Sequence, residues 1–206
     1  MPPTGEDRRL SSVEMPLRSK VPLLQMSFPL QEGPPCLDLA NTLVSDRPGR
    51  DLLMTEVQLA DWLHIRGIAL DGRARHPTVL AELRGLRAVV RELVVATIDE
   101  EALRPEAVST LNATAVRAAT APQLIVGAGG PTQIEHAEGT PVDQLLGDLA
   151  RSAVELLAGP RRDRLRACAG PACRLLFLAA HPGRTWCDSR TCGNRVRVAR
   201  HRARTP

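Results

Sequence analysis

Cys168-Ala169-Gly170-Pro171-Ala172-Cys173 and, after twelve intervening residues, Trp186-Cys187-Asp188-Ser189-Arg190-Thr191-Cys192-Gly193-Asn194-Arg195 decide the reading of this chain. They form two C-x4-C pairs. Paired thiolates at short spacing suit a tetrahedral zinc ion, which takes four soft ligands and adds no geometric demand of its own. The segment is too short to assemble a large core, and a metal cross-link is the usual remedy. One structural zinc ion held by Cys168, Cys173, Cys187 and Cys192 is therefore expected. Four sulfurs saturate the ion and leave no position open for water or substrate, so chemistry at this metal is not expected.

Between the pairs, Leu175-Leu176-Phe177-Leu178 reads as a short strand, His181-Pro182-Gly183 as a turn, and a second strand runs toward Trp186. Ser189 is the expected N-cap of a helix over Arg190–Arg204. A knuckle, a hairpin and a helix whose first turn supplies the last ligand make a treble-clef-like zinc finger. Cys192, Val196, Ala199 and Ala203 fall on one helical stripe, which should face the hairpin. Arg190, Arg197, Arg200, His201 and Arg204 occupy an arc about 100° wide beside it. Arg195 and Arg202 make a separate ridge.

The charge is as uneven as the motif. From Arg161 onward there are 12 arginines, no lysine and only Asp163 and Asp188, so this end carries an excess of ten positive charges. The whole chain carries only +4, which makes the part upstream acidic. Such asymmetry points to a polyanionic partner at one end. Arginine suits bidentate contacts to phosphate and guanine. The candidate contacts to double-stranded DNA are Arg190, Arg195, Arg197, Arg200, His201, Arg202 and Arg204. Part of the arginine charge, Arg195 above all, would also serve the zinc site, since four thiolates leave it two negative charges in excess.

Upstream, hydrophobic periodicity predicts a mostly helical body. Cys36–Val44, the segment opened by the Thr55/Gln58 capping box, the segment after Pro77 and the segment after Pro105 all read as helices. Gln123–Gly127 and Thr132–Glu138 flank Gly129-Gly130-Pro131 and read as a β-hairpin. A further helix runs from Thr140-Pro141 to Gly159-Pro160. The fold class is α+β: a mostly helical N-terminal domain with a small β-hairpin, then the finger. The boundaries read as a disordered extension over 1–25, a regulatory domain over 26–159 and the finger over 160–206, with translation starting at Met1, Met15 or Met26.

No run approaches the roughly 18 apolar residues that span a bilayer. No signal-peptide core is present, and reduced thiols suit a cytoplasmic protein. No Ser-His-Asp set, phosphate-binding glycine loop or paired acid–base site stands out, so an enzyme is not expected. Tyr is absent and Phe occurs twice, which argues against a stacking surface for single-stranded RNA. Asp38 and Asn41, three apart in an apolar helix, either line a ligand pocket or bond backbone groups of a neighbouring loop. Cys36, the odd thiol, reads as core rather than as an oxidant sensor.

Cys168-x-x-Pro171-x-Cys173, Leu176-Phe177, Trp186-Cys187 and Cys192-Gly193-Asn194-Arg195 resemble the CGNR zinc finger. Pro35-Cys36-Leu37-Asp38-Leu39-Ala40-Asn41-Thr42 resembles the opening of the ABATE domain of bacterial stress-induced transcription regulators. The resemblance runs from about Phe28 to the end, and implies a DNA-binding finger behind a regulatory domain that senses a ligand. Thr185, where a basic residue is expected, and Asp188, where Ser is usual, depart from the pattern and weaken the case for phosphate contact at that turn. The expected function is a DNA-binding transcription regulator; a small-molecule effector and a homodimer are compatible with it. The alternative is a zinc-stapled adaptor whose basic helix meets an acidic protein or RNA polymerase.

Overall fold

The computed structural model describes residues 28, 33–45, 51–68, 77–118, 121–125, 133–137 and 139–204, with backbone alone for 121–125, 133–137 and 204. The expected extension over 1–25, the alternative starts at Met15 and Met26 and the turn at Gly129-Gly130-Pro131 lie outside these residues.

The helices are α1 (Pro35–Ala40), α2 (Glu56–Ile65), α3 (Pro77–Ile98), α4 (Pro105–Ala115), α5 (Pro141–Ala158) and α6 (Asn194–Arg204). The strands are β1 (Ala121–Ile125), β2 (Gln133–Ala137), β3 (Leu165–Ala167) and β4 (Leu176–Leu178). They form two antiparallel pairs, β1 with β2 and β3 with β4.

Local chemistry explains most of the boundaries. Thr55 accepts a hydrogen bond from the Gln58 N–H while the Gln58 side chain returns to the Thr55 N–H, so α2 starts where the capping box predicts. It ends before Gly67, whose φ of +67° suits a residue without a Cβ. Thr140 and Asp143 cap α5 in the same reciprocal way. α1 is shorter than its apolar pattern implies. Beyond Ala40 the chain leaves the helix, the Thr42 hydroxyl bonds the Leu39 carbonyl, and Leu43 pairs with Asp51 instead.

One core unites most of the elements. It gathers Leu37, Leu39, Trp62, Leu83, Val90, Leu93, Leu146, Ala153 and Leu156 with Leu165 and Leu176 of the β3–β4 pair. The finger's hairpin is thus built into the helical body. Backbone and side-chain bonds continue the seam. Asn41 receives a bond from the Leu176 N–H at 2.8 Å and donates one to its carbonyl at 2.9 Å. The buried guanidinium of Arg91 donates to the Ala40 and Arg174 carbonyls, both at 2.8 Å. Arg174 in turn donates its N–H to the Val44 carbonyl at 2.9 Å, beside a bridge between Ser45 and Cys173.

The strand partner differs from the one expected. β4 pairs with β3, Leu165 opposite Leu178, rather than with a strand toward Trp186. The segment after Pro182-Gly183 turns back to the metal site instead, where the Thr185 carbonyl accepts from the Ala169 N–H at 3.0 Å. Leu165 and Leu176 are each 1% exposed, and the depth of this burial selects the pairing.

The loop before α2 is held by Asp51, which takes both arms of the buried Arg87 guanidinium at 2.6 and 2.7 Å. Burial raises the Asp51 pKa, but the Arg87 bonds and the Leu53 N–H outweigh it and hold the carboxyl below its ordinary value. A depressed folded pKa adds stability above the unfolded value of about 4, lost as pH falls through the folded value. Asp51→Asn should cost about 2–3 kcal/mol in urea unfolding at pH 7. The gap between the two proteins should close as the pH is lowered from about 4 toward 2.

Candidate metal centre and arginine helix

Four sulfurs converge where the sequence places them. Cys168 and Cys173 flank the knuckle between β3 and β4, and Cys187 and Cys192 lie on the turn that leads into α6. Their Sγ atoms all fall within 4.8 Å of one another. Cys173 and Cys187 are 3.9 Å apart, Cys187 and Cys192 3.7 Å. Tetrahedral zinc with bonds of about 2.3 Å places its sulfurs about 3.8 Å apart. The donor set and its spacing fit one structural zinc ion.

The surroundings favour thiolate. Cys168 accepts from the Cys173 and Cys187 side chains and from the backbone N–H groups of Cys187 and Gly170, which together pull its pKa down to about 2. A negative sulfur there pushes Cys173 up to about 11 and Cys187 higher still. Crowded thiolates cannot all be charged without a cation among them, and a divalent ion resolves that conflict. Bound zinc would supply a cross-link and positive charge here.

Several residues shape the site. A Cβ on Gly170 would lie 3.0 Å from the Cys192 sulfur, so a side chain here would force that ligand to shift. Gly193 is held the same way, 3.2 Å from the Trp186 ring. Ala172 sits in the left-handed region at φ 58°, a conformation that costs roughly 1–2 kcal/mol for a residue with a Cβ and turns the chain into Cys173. Arg184, one residue before the Thr185 that departs from the pattern, stacks 4.8 Å over Phe177. It also donates to the carbonyls of Trp186 and Cys187, bracing the second knuckle. Sequence reasoning missed Arg184, although a basic residue one place from the expected one was the available signal.

The N-cap is Asp188 rather than Ser189. Its carboxylate accepts from the Thr191 N–H at 2.7 Å and opens a π-helical turn over Ser189–Gly193, from which α6 continues. Hydrogen bonds from Thr191 lower the Asp188 pKa. The departure from Ser therefore has a structural use. The apolar stripe expected to face the hairpin does so only at its start. Cys192 is buried and Val196 half-buried, whereas Ala199 and Ala203 are exposed. α6 leans on its own lead-in turn and then projects.

Arg190, Arg195, Arg200, His201 and Arg202 are exposed along this projection. Arg195, Arg200 and Arg202 make no hydrogen bond or ion pair among the described residues, while Arg197 donates to the Ser189 carbonyl at 3.0 Å. The Arg204 side chain lies outside the described residues.

The pair offered as a ligand pocket is engaged within the fold. Asn41 holds Leu176, and Asp38, 3% exposed, pairs with Arg66. Cys36 is fully buried, and burial pushes its thiol up to about 11, an inert setting.

Fold and site together define a zinc-finger protein with a helical companion domain. A family model described as "Putative stress-induced transcription regulator", ABATE, matches residues 33–160, and one for the CGNR zinc finger matches residues 164–205. The chain belongs to the ABATE family and carries a CGNR zinc finger. No curated protein matches it. No described helix is long and apolar enough to cross a membrane.

Cys173→Ser should lower zinc to well below one per chain, measured by a colorimetric chelator assay after denaturation. Because β3 and β4 share the main core, metal stripping should also weaken the helical body. Thermal unfolding followed by far-UV dichroism should drop by about 5 °C or more for a loss of 2 kcal/mol.

Proposed function

We propose that this chain is a DNA-binding transcription regulator. Its helical part receives a signal, and α6, fixed by the zinc cluster, meets duplex DNA. The single observation that carries the reading is the set Arg195, Arg200 and Arg202, exposed on a projecting helix and without protein partners among the described residues. Arginine heads left in water beside an acidic body are placed to exchange counterions for phosphates. α6 is eleven residues long, about 16 Å, and an α-helix fits the major groove. Regulation accords with the family description. A zinc ion with four sulfur ligands acts as a staple and offers no open coordination position. The described residues give the cluster a structural role, and the two matched families are regulator and zinc-finger families rather than enzyme families.

Not every arginine has the same task. Arg197 closes the lead-in turn through Ser189, so its removal would disturb the helix start as well as charge. Arg195, Arg200 and Arg202 separate the two effects. Their triple replacement by alanine should leave zinc content and melting temperature unchanged. It should weaken duplex binding at least about tenfold, and make the log–log salt slope shallower by about 2–3. Full-length, zinc-loaded protein titrated into labelled duplex by fluorescence anisotropy at several salt concentrations checks both. Unchanged affinity in the triple variant would overturn the assignment.

One observation favours a protein partner as the second reading. Val198 is 40% exposed in the middle of the arginine helix, with Ala199 and Ala203 exposed nearby. An acidic protein surface with an apolar centre would use both features. In that case Val198→Ser, rather than the arginine variants alone, would abolish the contact, and duplex DNA would not compete for it.

A further inference from the structure

Among the described residues, three cavities can be compared. One, of about 560 Å³, opens beside the seam and sets Arg91, Glu92, Glu101, Arg104 and Arg174 among apolar walls. Another, of about 480 Å³, is a polar recess between the end of α3 and the turn before β3. The third has a different character. It measures about 390 Å³ and lies where the start of α1, the end of α2 and the first half of α5 meet. Its walls are the apolar groups of Pro35, Ile68, Pro141, Leu145 and Leu149, with Arg66, Gln144 and Asp148 as the polar ones.

Arg66 gives that cavity a handle. Its Nη1 donates to the buried Asp38 carboxylate, which fixes the plane of the guanidinium. The Nε–H is buried and has no partner among the described residues. Nη2 has none among the described residues either. Nε and Nη2 form the side of the guanidinium that takes a carboxylate through two parallel bonds. The indole Nε1 of the fully buried Trp62 also lacks a partner among the described residues, but Trp62 is not a wall of this cavity. Buried donors of this kind cost free energy unless an acceptor meets them. Meanwhile the carboxylate of Asp148 is occupied by Gln144 and Arg151 along α5.

We propose that this cavity is the binding site of a small carboxylate with an apolar body. The carboxylate lies across Arg66 Nε and Nη2, and the apolar part rests on Ile68, Leu145 and Leu149. A dianion fits worse, because one guanidinium already shared with Asp38 has a single side left to give, and Asp148 stands nearby. The volume is in the range of small-molecule sites. The inference rests on the reading that the helical part receives a signal, and supplies the chemistry of that signal. Its path to DNA is short: Asp38, which Arg66 holds, and Asn41, which holds Leu176 of the finger, lie three residues apart at the end of α1.

The test uses the full-length, zinc-loaded chain without DNA. Benzoate and hexanoate are compared with benzamide, hexanamide and inorganic phosphate, by thermal shift and by ligand-observed NMR. The carboxylates should raise the melting temperature by about 5–10 °C at a hundredfold excess over Kd, and the amides and phosphate should not. Arg66→Gln removes the ion-pair partner of a buried Asp38, a stability loss that would mask any effect on binding. Arg66→Lys keeps the charge opposite Asp38 but has no fork, and should lose at least about tenfold in affinity. Ile68→Trp fills the cavity from its half-buried rim without touching the ion pair, and should abolish binding. Absence of a shift with both carboxylates, equal shifts with the amides, a shift with phosphate alone, or undiminished binding by the two variants would each overturn the proposal. A separate duplex titration with saturating benzoate distinguishes the two readings. Carboxylate binding that leaves DNA affinity unchanged upholds the site and severs it from regulation, whereas failure to bind DNA at all sinks the regulator reading and leaves the site standing.

Discussion

Negative charge confined among four sulfurs is the constraint on which the C-terminal finger of this protein depends. Thiolates within 4.8 Å of each other repel strongly, and the hydrogen bonds that favour charge on Cys168 raise the cost of charge on its neighbours. A divalent cation turns that repulsion into a cross-link between the β3–β4 knuckle and the start of α6. Gly170 keeps the chain close enough for the sulfurs to meet, and Arg184 ties down the carbonyls of the second knuckle. The helix that carries the arginines inherits its position from this arrangement, since it has little packing of its own past Val196.

The second constraint is the seam. Asn41 completes β4 as a neighbouring strand would, satisfying both backbone groups of Leu176, and Arg91 joins α1 to the knuckle through two carbonyls. Left unpaired, these buried groups would each cost on the order of 1–3 kcal/mol, so the contacts are specific as well as cohesive. With Leu165 and Leu176 in the main core, the orientation of the finger against α1 and α3 is set by packing, not by a tether. A displacement of α1 would therefore be felt at the backbone of a metal ligand, through the bridge between Ser45 and Cys173.

What could be read from the sequence was local. The capping boxes at Thr55 and Thr140 announce their helices because all partners lie within three residues. The cysteine spacing announces the metal because ligand chemistry is stereotyped. What escaped was long-range. The two bonds between Asn41 and Leu176 span 135 positions, and they reach the backbone of a strand rather than of the neighbouring loop that local reasoning offered. β3 is three residues long and reads Leu-Arg-Ala, too short to show a period, so its place beside β4 depended on burial that only the assembled core reveals. Asp188 stands where Ser is usual, and its use as the cap that accepts from the Thr191 N–H shows only in the folded turn. The cavity at Arg66 left no trace either, since its walls come from the start of α1, Arg66 and Ile68 after α2, and the first half of α5.

The shared hairpin also bears on how such a finger spreads among proteins. A zinc module that carried its whole core inside itself could be cut out and grafted as a cassette. Here excision after α5 would strip Leu165, Leu176 and Leu178 of the helices that cover them and leave an oily flank in water. The unit that evolution can copy, or an engineer transplant, is thus the finger together with α1 and α3, and a chimera joined between them inherits an aggregation-prone surface along with its metal.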